Sequence, residues 1–190
     1  MTTQQPSTGQ PDSQQPDIDT RIQDLLVRAE IAEDLLVMEV DVAGTAAQLW
    51  QAITDPARLA QWSPVVPDRV LHSVGPALSR ENPEDDPVTA DVLATAGDHA
   101  LTHRWGEATV AWVVDDGQVD LQITLPDVQQ AQYFAAGWHV CLAVLDAQHS
   151  GEEQARIVGM DALDHGWDAL RVSYAEEFGH PVGPAPGEDA

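Results

Sequence analysis

The clearest periodicity in the chain lies between Pro126 and Ser150, where Phe134, Trp138, Cys141 and Leu145 recur in steps of four, three and four. That spacing puts them on one stripe of a helix and requires another element to cover it. Asp127 stands as N-cap after Pro126, and Gln130 three positions on completes a capping-box pattern, so the helix is expected to start there. Upstream the period shortens to two. Leu36, Met38, Val40 and Val42 alternate with Val37, Glu39 and Asp41, which predicts a half-buried strand over 35–42. Leu101, His103 and Trp105 share one face of a later strand, Val110, Trp112 and Val114 repeat the pattern, and Val119, Leu121, Ile123 and Leu125 close the series after an AspAspGly turn at 115–117. Consecutive meandering strands imply an antiparallel sheet with one solvated face.

Between these landmarks the punctuation is local. Thr45 with Gln48 forms a second capping-box signature ahead of Leu49, Trp50 and Ile53, and Asp55 with Pro56 opens a further short helix through Leu59 towards Trp62. From Val65 to Trp112 the text is broken by Pro and Gly, with Val70–Val74, Pro76–Ser79 and Val88–Ala96 as candidate strands and the acidic run at 81–86 as a loop. A last periodic segment carries Leu163, Trp167, Leu170, Tyr174 and Phe178 and stops at Gly179, His180 and Pro181. Residues 1–17 hold almost nothing to bury and are expected to be a disordered polar tail. Thr20 is a candidate cap for a short helical segment over 18–34 with Ile22, Leu25, Leu26 and Ala29, and 180–190 reads as an acidic Pro/Gly tail. The folded domain is thus expected over 35–179.

Composition narrows the partners. Thirty-two acidic residues face 8 basic ones, all arginine, for a formal charge of -24. Nucleic acid and anionic membrane would both repel such a chain, so neither is expected as a partner. The single cysteine, Cys141, lies on the apolar stripe and is expected to be buried and inert. No apolar run is long enough to span a bilayer and the amino end lacks a signal-peptide pattern, so a cytoplasmic location is expected. His99, His103 and His165 show no metal-ligand spacing; the serines sit in no nucleophile elbow, and no glycine-rich phosphate loop is present. No metal or cofactor is therefore expected. His139, about 100° around the helix from the stripe, is expected near the surface or a sheet edge.

The stretch from Val42 to Trp62, ValAlaGlyThrAlaAlaGlnLeuTrpGlnAlaIleThrAspProAlaArgLeuAlaGlnTrp, resembles the opening of SRPBCC (START-like) domains, in particular the 90-kDa heat-shock protein ATPase activator homologue-like family. LeuThrHisArgTrpGly at 101–106, LeuProAsp at 125–127, AlaGlyTrpHisValCysLeu at 136–142 and GlyTrpAspAlaLeuArgValSerTyr at 166–174 resemble bacterial members in the same order. The resemblance implies an α+β helix-grip fold, a curved antiparallel sheet wrapped around a long C-terminal helix with a cavity between them. Such members usually carry an aromatic where this chain has His103.

On that reading the cavity wall is expected to comprise His103, Trp105, Trp112 and Val114 from the sheet and Phe134, Trp138 and Cys141 from the helix. A mostly apolar pocket with few polar groups suits recognition of an apolar small molecule, so a non-catalytic binding module is the leading expectation and no catalytic residue is assigned. A chaperone-associated stress-response protein is the alternative, with a chaperone as partner. A polyketide cyclase or aromatase-like enzyme is a further one; it would use His103 as acid or base and needs an open cavity and a second polar group beside it.

Overall fold

The computed structural model describes residues 17–183. The tails expected over 1–17 and 180–190 lie, apart from Asp17 and residues 180–183, outside the described residues. Asp17 is itself structural. Its carboxylate accepts a hydrogen bond from the Thr20 backbone N–H (3.1 Å) and caps α1 (Ile18–Asp24), so Asp17 rather than Thr20 begins the helix.

The expected helical segment over 18–34 is corrected in its second half. After α1 the chain extends as β1 (Val27–Ala32) and turns through Glu33 and Asp34 into β2 (Leu35–Asp41). Val27, Ala29 and Ile31 alternate with Arg28 and Glu30 at the strand period, while Ile22, Leu25, Leu26 and Ala29 also satisfy a helical spacing; pairing with β2 decides between the two. The folded unit therefore starts before residue 35.

The capping signatures after β2 are realised. Thr45 Oγ1 accepts from Gln48 N (3.3 Å) while Gln48 Oε1 accepts from Thr45 N (2.9 Å), opening α2 (Ala46–Thr54). Asp55 accepts from Ala57 N with Pro56 at the first position of α3 (Pro56–Leu59). Trp62 follows, fully buried, its indole N–H donating to Ala52 O (3.1 Å).

Of the candidate strands beyond, 70–74 has no strand conformation. A small antiparallel sheet forms instead from β3 (Val66–Pro67), β4 (Leu78–Arg80) and β5 (Val88–Thr89). The expected strand Val88–Ala96 is divided, its second part being β6 (Val92–Ala96) of the main sheet. With β7 (Ala100–Trp105), β8 (Ala108–Asp115) and β9 (Gln118–Thr124), the main sheet has six antiparallel strands in the order β1-β2-β9-β8-β7-β6.

Register turns the alternation into layers. One row across the inner face runs Leu36, Ile123, Val110, His103, Val92; the next runs Met38, Leu121, Trp112, Leu101; a third runs Val40, Val119, Val114. All of these side chains are buried, so His103 is the one polar member of an otherwise apolar layer.

Asp127 caps a single 3-10 turn, accepting from Gln129 N (3.0 Å), and α4 (Ala131–His149) begins only after it. The predicted start is displaced by one turn, and Gln130 provides no side-chain cap. The stripe is real, but α4 is not amphipathic: Ala135, Ala136, Val140, Leu142, Ala143 and Val144, off the stripe, are fully buried as well. A helix apolar on all sides needs cover on all sides. The sheet covers one side; α1 and α5 (Trp167–Phe178) cover the other. His139 shows this directly. It is buried, not superficial: its Nε2–H donates to Ile22 O of α1 (2.9 Å), which leaves Nδ1 to accept the Tyr174 hydroxyl of α5 (2.8 Å). Arg21 also ties α1 down through ion pairs with Asp146 and Glu152. No helix among the described residues is long and apolar enough to cross a membrane.

Candidate functional site

The space between sheet and α4 is filled rather than hollow. Trp138 projects from α4 onto Trp112 (ring centroids 5.2 Å apart), Trp105 (5.6 Å) and Trp62 (6.2 Å), mostly in the edge-to-face geometry that aromatic pairs favour. Trp112 donates its indole N–H to His103 Nε2 (3.2 Å), and His103 Nδ1–H donates to Arg104 O (2.8 Å). Both ring nitrogens are thereby engaged and the tautomer is set. Burial, which penalises the charged imidazolium, lowers the pKa of His103 to about 4 and holds the ring neutral.

A cavity of about 400 Å³ lies at the edge of this packed interface. Its inner wall is the stripe of α4, namely Phe134, Gly137, Trp138 and Cys141, with Trp105 from the end of β7. Its outer wall is the segment from Ile157 to Leu163, which follows α4 and runs in extended and 3-10 conformation towards Trp167 at the start of α5. Pro64 and Tyr133 complete the lining with Glu81, and Met160, 64% exposed, marks the mouth.

Of the seven expected wall residues, the structure brings Trp105, Phe134, Trp138 and Cys141 together at this cavity. His103, Trp112 and Val114 do not line it; they are buried in the inner-face rows, with Trp138 packed on Trp112. The cavity is therefore displaced from the centre of the sheet–helix interface to the gap between α4 and the segment 157–167. Alternation identifies the face a side chain occupies, but not how far along the helix the face stays covered. Sequence reasoning missed Tyr133, Gly137, Ile157 and Met160. It noted Leu163 and Trp167 as helix periodicity and Trp167 in a family segment, neither as cavity wall, and it absorbed Glu81 into an acidic loop.

Glu81 is the one carboxylate of the lining among the described residues. It follows β4 and lies against Gly159, whose φ of 57° is in the left-handed region; a Cβ there would fall 2.8 Å from Glu81 Oε1, so glycine is what allows the close approach. Burial raises the Glu81 pKa, Arg156 opposes the rise and Asp85 adds to it. Arg156 directs Nε to Ser63 O (2.9 Å) and Nη2 to the backbone carbonyl of Glu81 (2.8 Å), leaving the Glu81 carboxylate without a hydrogen bond among the described residues. Cys141 contributes no reactivity: its thiol faces Ile157 O (3.7 Å), and burial pushes its pKa up to about 12, so it stays protonated.

No protein-family model and no curated protein matches the chain. Solved structures do. The chain is similar to EF2215 from Enterococcus faecalis, a conserved protein of unknown function, with a TM-score of 0.55 and 13% identity over 84% of this chain and 93% of that one. It is similar to DynU16, a protein of the dynemicin biosynthetic locus, with a TM-score of 0.54 and 19% identity over 64% of this chain; the match spans 49%, about half, of DynU16. CalU16 from Micromonospora echinospora matches with a TM-score of 0.50 and 15% identity over 78% of this chain and 97% of that one. At these identities the likeness is one of fold, a helix-grip α+β domain.

Proposed function

We propose that this protein binds an apolar small molecule in the cavity between α4 and the segment 157–167. The observation that carries the reading is the cavity itself. It has the volume of a small-ligand site, walls of indole, phenyl and aliphatic groups, and one carboxylate at its edge to orient what enters. The resemblance to the ATPase activator homologue-like family supports the same class of domain. The geometry favours binding over catalysis. A cyclase-type role for His103 called for an open cavity beside it and a second polar group, whereas both of its nitrogens are engaged inside the core.

Gly137 supplies the test. It lines the cavity from the middle of α4, and a Cβ added there meets only Trp167 Nε1, at an ordinary 3.7 Å. Glycine is a poor helix former, so Gly137→Ala is expected to stabilise the fold by about 1 kcal/mol in urea unfolding. Gly137→Leu keeps that helix gain and fills the space. The neutral dye N-phenylnaphthylamine is expected to bind the wild-type protein saturably at one site and the Gly137→Leu protein at least about tenfold more weakly, a loss of about 1.4 kcal/mol. Absence of saturable binding, or equal binding by the two proteins, refutes the reading.

A further inference from the structure

The proposed ligand can be given a charge. Three observations converge on the cavity. First, Trp105, Phe134 and Trp138 turn a cluster of aromatic rings towards it, with Trp105 meeting Phe134 at 5.9 Å and Trp138 at 5.6 Å between ring centroids. Aromatic faces carry negative electrostatic potential and attract cations, most of all where water is excluded. Secondly, the neighbouring rings already do this. The Arg171 guanidinium carbon lies 5.5 Å from the Tyr133 ring centre and 6.0 Å from that of Trp167, with its charge held by Asp168 (2.7 Å). One aromatic pair of the lining is thus occupied by an internal cation beside a carboxylate; Trp105, Phe134 and Trp138 line the cavity together with a different carboxylate, Glu81.

Thirdly, that carboxylate has no mate in direct contact. Glu81 is half-buried and no ion pair or hydrogen bond reaches its side-chain oxygens among the described residues. Arg156, the neighbouring cation, donates to backbone carbonyls instead. Burial acts most strongly on Glu81 and disfavours its charge, Arg156 favours the charge, and Asp85 adds to the opposition. A carboxylate desolvated without a contacting partner is stabilised by a cation brought in from outside. The formal charge of -24 works in the same direction at long range, drawing cations towards the surface and repelling anionic amphiphiles such as fatty acids.

We infer that the cavity takes an organic cation, an ammonium group carried on an aromatic or branched apolar body, with Glu81 as counter-ion and the faces of Trp105, Phe134 and Trp138 around the charge. This rests on the cavity being a ligand site, as proposed above, and adds which chemical class it selects.

The experiment separates the two statements. Benzyltrimethylammonium and neopentylbenzene have the same shape and differ in one atom, quaternary nitrogen against carbon. Each competes with N-phenylnaphthylamine for wild-type protein and for Glu81→Gln, which keeps the side-chain shape and removes the charge. The ammonium is expected to compete at least about tenfold more strongly than the hydrocarbon with the wild-type protein. That preference is expected to vanish in Glu81→Gln, while the hydrocarbon competes equally with both proteins. If the hydrocarbon equals or beats the ammonium on wild-type protein, the cation inference is overturned and the apolar-cavity reading stands. A preference for the ammonium that survives in Glu81→Gln overturns the role given to Glu81. If the dye itself fails to bind, the earlier reading falls and this one with it. Dye binding by Glu81→Gln at the wild-type level shows that the variant is folded and the cavity intact.

Discussion

Taking the protein from pH 7 to pH 4 is expected to remove about 6 kcal/mol of stability, through two histidines that are neutral because they are buried. His103 and His139 each have their pKa lowered to about 4 by desolvation, against 6.5 for the free side chain. The unfolded chain takes up protons at these positions as the pH falls through 6.5, whereas the folded chain does not until about 4. Stability from the neutral buried rings is therefore complete above pH 6.5 and is lost as the pH falls from there towards 4. At about 1.4 kcal/mol per pH unit, that interval makes each histidine worth about 3 kcal/mol. Their sum is comparable to the whole stability of an ordinary domain, about 5–15 kcal/mol.

At His103 a hydrogen bond adds to the resistance. His103 Nε2 accepts from the indole N–H of Trp112, a group that can only donate, so a second proton on that ring would displace it. The Tyr174 hydroxyl beside His139 Nδ1 can turn to accept, and burial alone resists the proton there. Urea midpoints measured from pH 7 to 4 should fall steeply, and His139→Gln should lose about half of that slope whatever its stability at pH 7. Proton NMR should show two of the seven imidazoles untitrated until near pH 4. A pH-independent midpoint over the interval would refute the account.

Trp138→Ala is expected to cost about 3–5 kcal/mol in urea unfolding, the range for emptying a buried aromatic site. Trp138 is 2% exposed and meets the rings of Trp62, Trp105 and Trp112, so its removal takes one ring contact from each of these three neighbours and joins the core to the cavity. Trp138→Phe separates ring from polarity. The indole N–H of Trp138 is buried with no hydrogen-bond partner among the described residues, a penalty that phenylalanine removes. The phenylalanine protein is expected within about 1 kcal/mol of wild type. A loss as large as that of the alanine protein would show that indole volume, and not an aromatic ring as such, holds the cluster.

Much of the fold could be read from the chain because it is written in near neighbours. Thr45 with Gln48 and Asp55 with Pro56 make their caps within three residues, and the alternation from Leu101 to Leu125 is a property of each strand alone. Where two local rules overlapped, the reading failed. Val27–Ala32 satisfies strand and helix spacings together, and only its ladder with β2 settles the conformation. His139 was misplaced for a related reason: one stripe of α4 is visible in the sequence, but the burial of its back by α1 and α5 depends on segments more than thirty residues away, at Ile22 and Tyr174.

The site divides along the same line. Sequence alone determined the helix-grip order of elements, the face of α4 that carries Phe134, Trp138 and Cys141, and the inward direction of His103, Trp105 and Trp112, because side-chain direction follows from backbone period. Only the tertiary structure decided that Trp112 and His103 fill the core while Trp105, Trp138 and Glu81 border a cavity. A cavity is volume left over where segments distant in the chain meet, here residues 81, 105, 134–141 and 157–167. The fit of those segments depends on their register and crossing, which no local period encodes.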